Sequence, residues 1–130
     1  MEYSIHDGIG YRQLMILQCI WEAKEPITAG DIVDMVEQKC GQRLSRANVT
    51  TLCNGLIKRN YVRMDAKKSH AFTYVAAITE EEYKQREIRR FKKTTFGGSA
   101  SDLVVALVQS GEMKQEDVER IREILREYEK

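Results

Sequence analysis

Apolar residues along Tyr11–Lys24 recur at helical spacing. Leu14, Leu17, Ile20 and Trp21 fall at i, i+3, i+6 and i+7, an inward stripe. The only proline, Pro26, breaks that helix. Thr28 then offers an N-cap with Asp31 at the third helical position. Ile32, Val33, Met35 and Val36 give a second helix its apolar side, ending near Cys40–Gly41. Ser45 caps a third helix, and Asn60, which tolerates a left-handed conformation, ends it. Tyr61–Asp65 and Phe72–Val75 are strand candidates joined by a polar basic tip, Ala66–Ala71. Ile5 to Val75 therefore reads helix, helix, helix, hairpin.

A second region starts at Thr79, an N-cap with Glu82 at the third helical position as a capping box. Tyr83, Ile88 and Phe91 form a thin apolar stripe on this helix, whose other faces are charged. Gly97–Gly98 is a joint. Ser99 or Ser101 caps the next helix, in which the apolar run Leu103–Val108 covers most of the circumference until Gly111 ends it. The last helix, Gln115–Tyr128, carries Val118, Ile121, Ile124, Leu125 and Tyr128 on one side. A tail of ~50 residues cannot build a stable core alone. Pairing with a second copy about a two-fold axis would cover the all-round apolar helix. Phe91, Leu103, Val104, Leu107, Val108, Ile121 and Leu125 are the candidate dimer residues. The expected architecture is mainly α with a small antiparallel β wing. Residues 1–78 would form a winged helix-turn-helix domain and residues 79–130 a C-terminal helical dimerisation domain.

Charge sharpens this picture. The whole chain carries only +1, but from Arg43 to Lys68 seven cations face one anion, a net of +6. From Thr79 to Lys130, 11 cations face 12 anions. A local basic patch is an electrostatic footprint for phosphate, and the alternative is a solvated surface. Lys84, Arg86, Arg89, Arg90, Lys92 and Lys93 form a second cationic group, better read as a solvated helix with i,i+4 pairs. No apolar run approaches the ~18–20 residues that span a bilayer. The N-terminus has neither a basic nor a continuous apolar segment, so a cytoplasmic protein is expected.

The third helix holds the candidate chemistry. At 100° per residue, Val49, Leu52, Cys53, Leu56 and Ile57 share a core face. Ala47, Thr51, Asn54 and Lys58 point the other way, with Thr50 and Gly55 at the borders. Short polar residues let a helix approach base edges closely. Asn can bond adenine through two hydrogen bonds, and Thr can offer a hydroxyl to a base or a methyl to thymine. Arg46 and the free first-turn N–H groups can hold phosphate, and Lys67 and Lys68 on the hairpin tip can follow a neighbouring backbone. The plain alternative is a helix with a polar outer face.

Other chemistry finds little support. No Gly-rich phosphate loop, nucleophile–His pair or HExxH occurs, and Glu80–Glu82 read as first-turn carboxylates favoured by the helix dipole, so no catalytic residue and no enzyme is expected. Cys19, Cys40 and Cys53 are odd in number, widely spaced and distant in sequence from His6 and His70. Reduced thiols fit best, and neither metal nor cofactor is expected. Two alternatives to a DNA-binding regulator stand beside it: a winged-helix protein-interaction module, and a thiol- or metal-responsive sensor built on the three cysteines.

The pieces LMILQCIW, NVTTLCNGLIKRNYV, AFTYVAAITEEEY and FGGSASDLVVALVQSGEMKQEDVERIREIL, in that order and spacing, resemble the penicillinase repressor family (BlaI/MecI/CopY type) of bacterial winged-helix transcriptional repressors. The resemblance runs nearly end to end. It implies a homodimer that binds double-stranded DNA at an inverted-repeat operator, with half-sites of TACA/TGTA type. It places base reading on Asn48, Thr50, Thr51 and Asn54, with Arg46, Lys58 and the wing lysines on phosphate. Four departures bear on that implication. Gly55 stands where the family often has Arg, and Arg59–Asn60 replaces the usual Lys-Gly. In β-lactam-responsive members a membrane sensor leads to cleavage at an Asn-Phe pair in the first dimer helix. Here that pair is Ala106–Leu107, which argues against a sensor or protease pathway. The paired C-terminal cysteine motifs of the copper-responsive branch are missing, which argues against copper sensing.

Overall fold

The computed structural model describes residues 8–66 and 72–129. Three helices come first: α1 (Tyr11–Glu22), α2 (Ala29–Cys40) and α3 (Arg46–Lys58). Two strands follow, β1 (Val62–Ala66) and β2 (Phe72–Ala76), then α4 (Glu80–Thr95), α5 (Ala100–Gln109) and α6 (Gln115–Tyr128). The fold is mostly helical with one two-stranded antiparallel sheet, the winged-helix arrangement the sequence implies. The chain divides into two compact units, Met1–Glu87 and Ile88–Lys130.

Local signals set the ends of these elements. Thr28 and Asp31 form a reciprocal box: Asp31 N–H donates to Thr28 Oγ1 at 3.1 Å and Thr28 N–H donates to Asp31 Oδ2 at 3.0 Å. Thr79 and Glu82 repeat it at the start of α4, at 2.9 and 3.0 Å. The two bonds from Thr79 hold the Glu82 carboxyl below the usual carboxylate range. Ser45 caps α3 and Ser99, rather than Ser101, caps α5; each hydroxyl accepts at 3.0 Å from the backbone N–H three residues on.

Asn60 ends α3 in the left-handed region, with φ 64°. There the Tyr61 N–H donates to the Leu56 carbonyl at 3.0 Å and the Asn60 N–H to the Ile57 carbonyl at 2.9 Å. These two bonds are a Schellman closure, and they turn the chain directly into the wing. The α1 helix ends at Glu22, two residues short of the expected limit, with Pro26 soon after. The first strand is displaced by one residue toward its C-terminal side, while the second starts at Phe72 as expected and runs one residue further, because pairing runs from Val62↔Ala76 to Ala66↔Phe72.

The core of the first unit lies among α1, α2, α3 and the sheet. Ile16, Leu17, Ile32, Val49, Cys53, Leu56 and Val62 are fully or almost fully buried within it. Leu14 and Trp21, on the expected stripe of α1, are half-buried, and Ile16 and Cys19 take the deepest positions instead. A backbone bridge links Ile27 to Tyr74, tying the turn between α1 and α2 to the edge of the hairpin.

The first turns of α4 close this unit. The Trp21 indole N–H donates to the Ile78 carbonyl at 2.9 Å, and Trp21 and Tyr61 both pack on Tyr83, with ring centroids 5.7 and 5.8 Å away. The Arg86 guanidinium lies 5.5 Å from the centre of the Tyr61 ring, a cation–π contact. The stripe expected of α4 thus divides: Tyr83 is buried in the first unit, while Ile88 and Phe91 are about half exposed.

In the second unit Phe91 packs edge-on against Phe96, with centroids 5.3 Å apart. Gly97 and Gly98 take φ of 57° and 87°, a turn that side-chain-bearing residues rarely make. Neither α5 nor α6 buries a residue. Val104, Leu107, Val108, Ile124 and Leu125 are all half exposed, and Leu103 and Ile121 are intermediate. No described helix is long and apolar enough to cross a membrane.

Candidate nucleic-acid interface

The third helix meets the core through Val49, Cys53 and Leu56, with Leu52 and Ile57 at the margin. Its opposite side carries Ala47, Asn48, Thr51, Asn54 and Lys58, all exposed. Of the expected site residues the fold therefore brings Arg46, Asn48, Thr50, Thr51, Asn54 and Lys58 onto one accessible helix. Lys67 and Lys68 lie outside the described residues.

A groove of about 610 Å³ runs between α3 and the hairpin. Arg46, Thr50 and Asn54 form one wall, Met64, Phe72 and Tyr74 the other, and Thr28 to Gly30 close one end. The register puts Met64 opposite Tyr74, and Phe72 two residues along the same strand. Strand alternation sends all three to the face toward α3. Tyr74 is buried, whereas Phe72 is 61 % exposed, so the apolar wall continues past the core into the open groove. The sequence marks Phe72 only as a strand residue, and its exposure beside α3 is decided by how the hairpin packs.

Two of the polar residues have neighbours on other elements. The Arg46 guanidinium lies across the first turn of α2, so close that a Cβ on Gly30 would stand 2.9 Å from Nη2. Glycine at this position gives the guanidinium its seat. The Thr50 side chain hydrogen-bonds the Tyr74 phenol, and burial pushes that phenol above the usual tyrosine range while the Thr50 bond works the other way. Thr50 is thus tied to the wing, unlike Thr51 and Asn54 on the outer face.

Gly55 is not an empty place in the row. The side chain of Gln13, from the first turn of α1, fills the space beside it. Gln13 Nε2 donates to the Leu52 carbonyl at 3.3 Å, and its Oε1 accepts from the Gly10 N–H at 3.2 Å.

The cysteines have unequal surroundings. Burial pushes Cys53 up to about 12 and Cys19 up to about 11, so both thiols stay protonated near neutral pH. Cys40 is exposed, and its Sγ contacts the Val36 carbonyl at 3.3 Å. Among the described residues no group of three His, Cys, Asp or Glu side chains is placed to hold a metal ion.

The penicillinase repressor family model matches residues 9–127. A penicillinase repressor of Staphylococcus aureus is 25% identical over 115 residues, covering 88% of each chain. The methicillin resistance regulatory protein MecI of Mammaliicoccus sciuri is 24% identical over 111 residues, covering 85% of this chain and 86% of its own. Among solved structures, the transcription regulator MepR of Staphylococcus aureus superimposes with a TM-score of 0.49 at 15% identity, over 92% of this chain and 77% of that one. With a family match across nearly its whole length and a helix-turn-helix carrying a polar outer face, this chain belongs to the penicillinase repressor family of DNA-binding transcriptional repressors.

Proposed function

We propose that the protein represses transcription as a homodimer bound to an inverted-repeat operator. Residues 1–78 would carry the reading head and residues 79–130 the pairing surface. The observation that supports this best is the outer face of α3, where exposed Asn48, Thr51 and Asn54 lie between Arg46 and Lys58. In a major groove, Asn54 and Thr51 reach base edges directly, and Thr50, held by Tyr74, reads from the margin. Arg46, Lys58 and the wing lysines Lys67 and Lys68 neutralise phosphates on either side.

The pairing surface is the apolar side of the second unit. Phe91, Leu103, Val104, Leu107, Val108, Ile121 and Leu125 supply it, and α5 has no burial of its own to account for its apolar circumference. Two reading heads related by a two-fold axis match the symmetry of an inverted repeat. Leu107, the second residue of the pair aligned with the cleaved Asn-Phe, lies within helix α5. Release through a membrane sensor and protease would require that helix to open.

Enrichment of duplexes from a random-sequence library, followed by footprinting on the selected DNA, tests the reading. An inverted repeat is expected, with its half-sites one helical turn or a multiple apart. Four cations per subunit, acting in two subunits, predict a logarithmic salt slope of about −7. Failure to enrich any sequence, or binding indifferent to salt, would refute the proposal. A protein-interaction module would instead keep its partner complex when Thr51 and Asn54 are both replaced by Ala.

A further inference from the structure

We propose that Gln13 is a positioning residue for base reading and that Gly55 is retained to admit it. The inference rests on α3 being the helix that reads bases. Gln13 occupies the third position of α1, where its Oε1 closes the helix start by accepting from the Gly10 N–H. Its other end reaches 39 residues along the chain to the Leu52 carbonyl in the middle of α3. A backbone carbonyl has two lone pairs, so this bond adds to the helical one without breaking it. One side chain thereby sets the first turn of α1 against the middle of the reading helix.

Gly55 supplies the space. A Cβ there would collide with Gln13 Nε2 alone, with Gln13 Cδ at an ordinary contact distance of 3.7 Å. Glycine is the poorest helix former after proline, so its place inside α3 calls for a packing reason. That reason is specific to the Gln13 amide. Because the obstructing atom is the far end of a flexible side chain, a methyl group at position 55 evicts the amide and leaves the fold standing. The residues on either side of this contact face the operator, with Thr51 before Leu52 and Asn54 before Gly55. A small rotation of α3 about its axis would therefore shift both base-reading side chains together.

The test uses the full-length chain and the duplex enriched by the unaltered protein. Gly55→Ala, Gln13→Glu and the double variant are compared by fluorescence anisotropy on that duplex and on random-sequence DNA, with melting followed by circular dichroism. Gln13→Glu keeps an oxygen for the Gly10 N–H but loses the donor to Leu52. Each single variant is expected to bind the operator about two- to tenfold more weakly, the value of one neutral hydrogen bond. Affinity for random-sequence DNA and the helical signal should hold. The double variant should be no weaker than the weaker single variant, because both changes remove one contact. A methyl group that acted by touching DNA would instead add to the Gln13 effect. Additive losses, operator binding equal to the unaltered protein, or a parallel fall on random DNA would each overturn the proposal. If the unaltered protein enriches no sequence, the base-reading role of α3 fails and the proposal falls with it. If the unaltered protein enriches an operator and the variants bind it equally well, the Gln13 contact alone is refuted and the reading role of α3 stands.

Discussion

Asn54→Ala separates DNA reading from folding, because the two effects have opposite signs. Asn54 is exposed on α3, five residues before the Ser45-capped helix reaches its Arg59 end. Replacing it with alanine removes no core contact, and Ala favours a helix interior over Asn by up to ~0.7 kcal/mol. The urea midpoint should therefore stay the same or rise. Operator binding should fall, since a side chain bonding adenine through two hydrogen bonds is worth about 1–3 kcal/mol against the wrong base. That range corresponds to a loss of about 5- to 150-fold in affinity for the selected duplex. Random-sequence DNA should bind as before, because phosphate contacts carry that affinity. Anisotropy titrations at fixed salt on both duplexes, beside urea melts of the same preparations, give all three quantities. Retained preference for the selected sequence would refute a reading role for Asn54. A fall in binding that tracks a fall in urea midpoint would refute the separation of the outer face from the core.

Further outcomes follow from the same geometry. Ser45→Ala removes the oxygen that accepts from the Asn48 N–H and should destabilise the first unit by about 1 kcal/mol, measured by urea unfolding; no change would mean the cap contributes nothing to α3. A thiol reagent at pH 8 should modify Cys40 rapidly in the native protein and reach Cys19 and Cys53 only on unfolding; equally fast labelling of all three would contradict their burial. The folded state holds the Cys19 and Cys53 protons above the ordinary thiol value of 9.0, so the unfolded chain releases them first and stability should decline as pH rises from about 9 toward 12. Replacing Cys53 by Ala should flatten that decline. Leu107→Glu places a charge amid the exposed apolar side of α5 and should convert a dimer to a monomer in sedimentation, with helix content retained. An unchanged mass would remove α5 from the pairing surface.

Much of the fold was legible because its signals are local. Thr28 with Asp31, Ser45, and Thr79 with Glu82 cap their helices through bonds spanning three residues, and a reader of the sequence needs no tertiary contact to find them. Asn60 likewise announced its left-handed turn, and the 100° periodicity of α3 divided Val49, Cys53 and Leu56 from Thr51 and Asn54. The outer face, and so most of the candidate site, came with that division.

The rest depended on elements meeting across the fold. Nothing near Gly55 in sequence reveals that Gln13 fills the space beside it, since that contact exists only once α1 packs on α3. The sequence could place Thr50 at a border, but the approach of β2 ties its side chain to Tyr74. Similarly, the apolar stripe of α4 reads as one surface until packing on Trp21 and Tyr61 claims Tyr83 for the first unit and leaves Ile88 and Phe91 exposed. Periodicity and capping obey the chain's own geometry and are written into neighbouring residues. Side-chain partners distant in sequence are chosen by how helices and hairpin pack, and only the tertiary structure decided those.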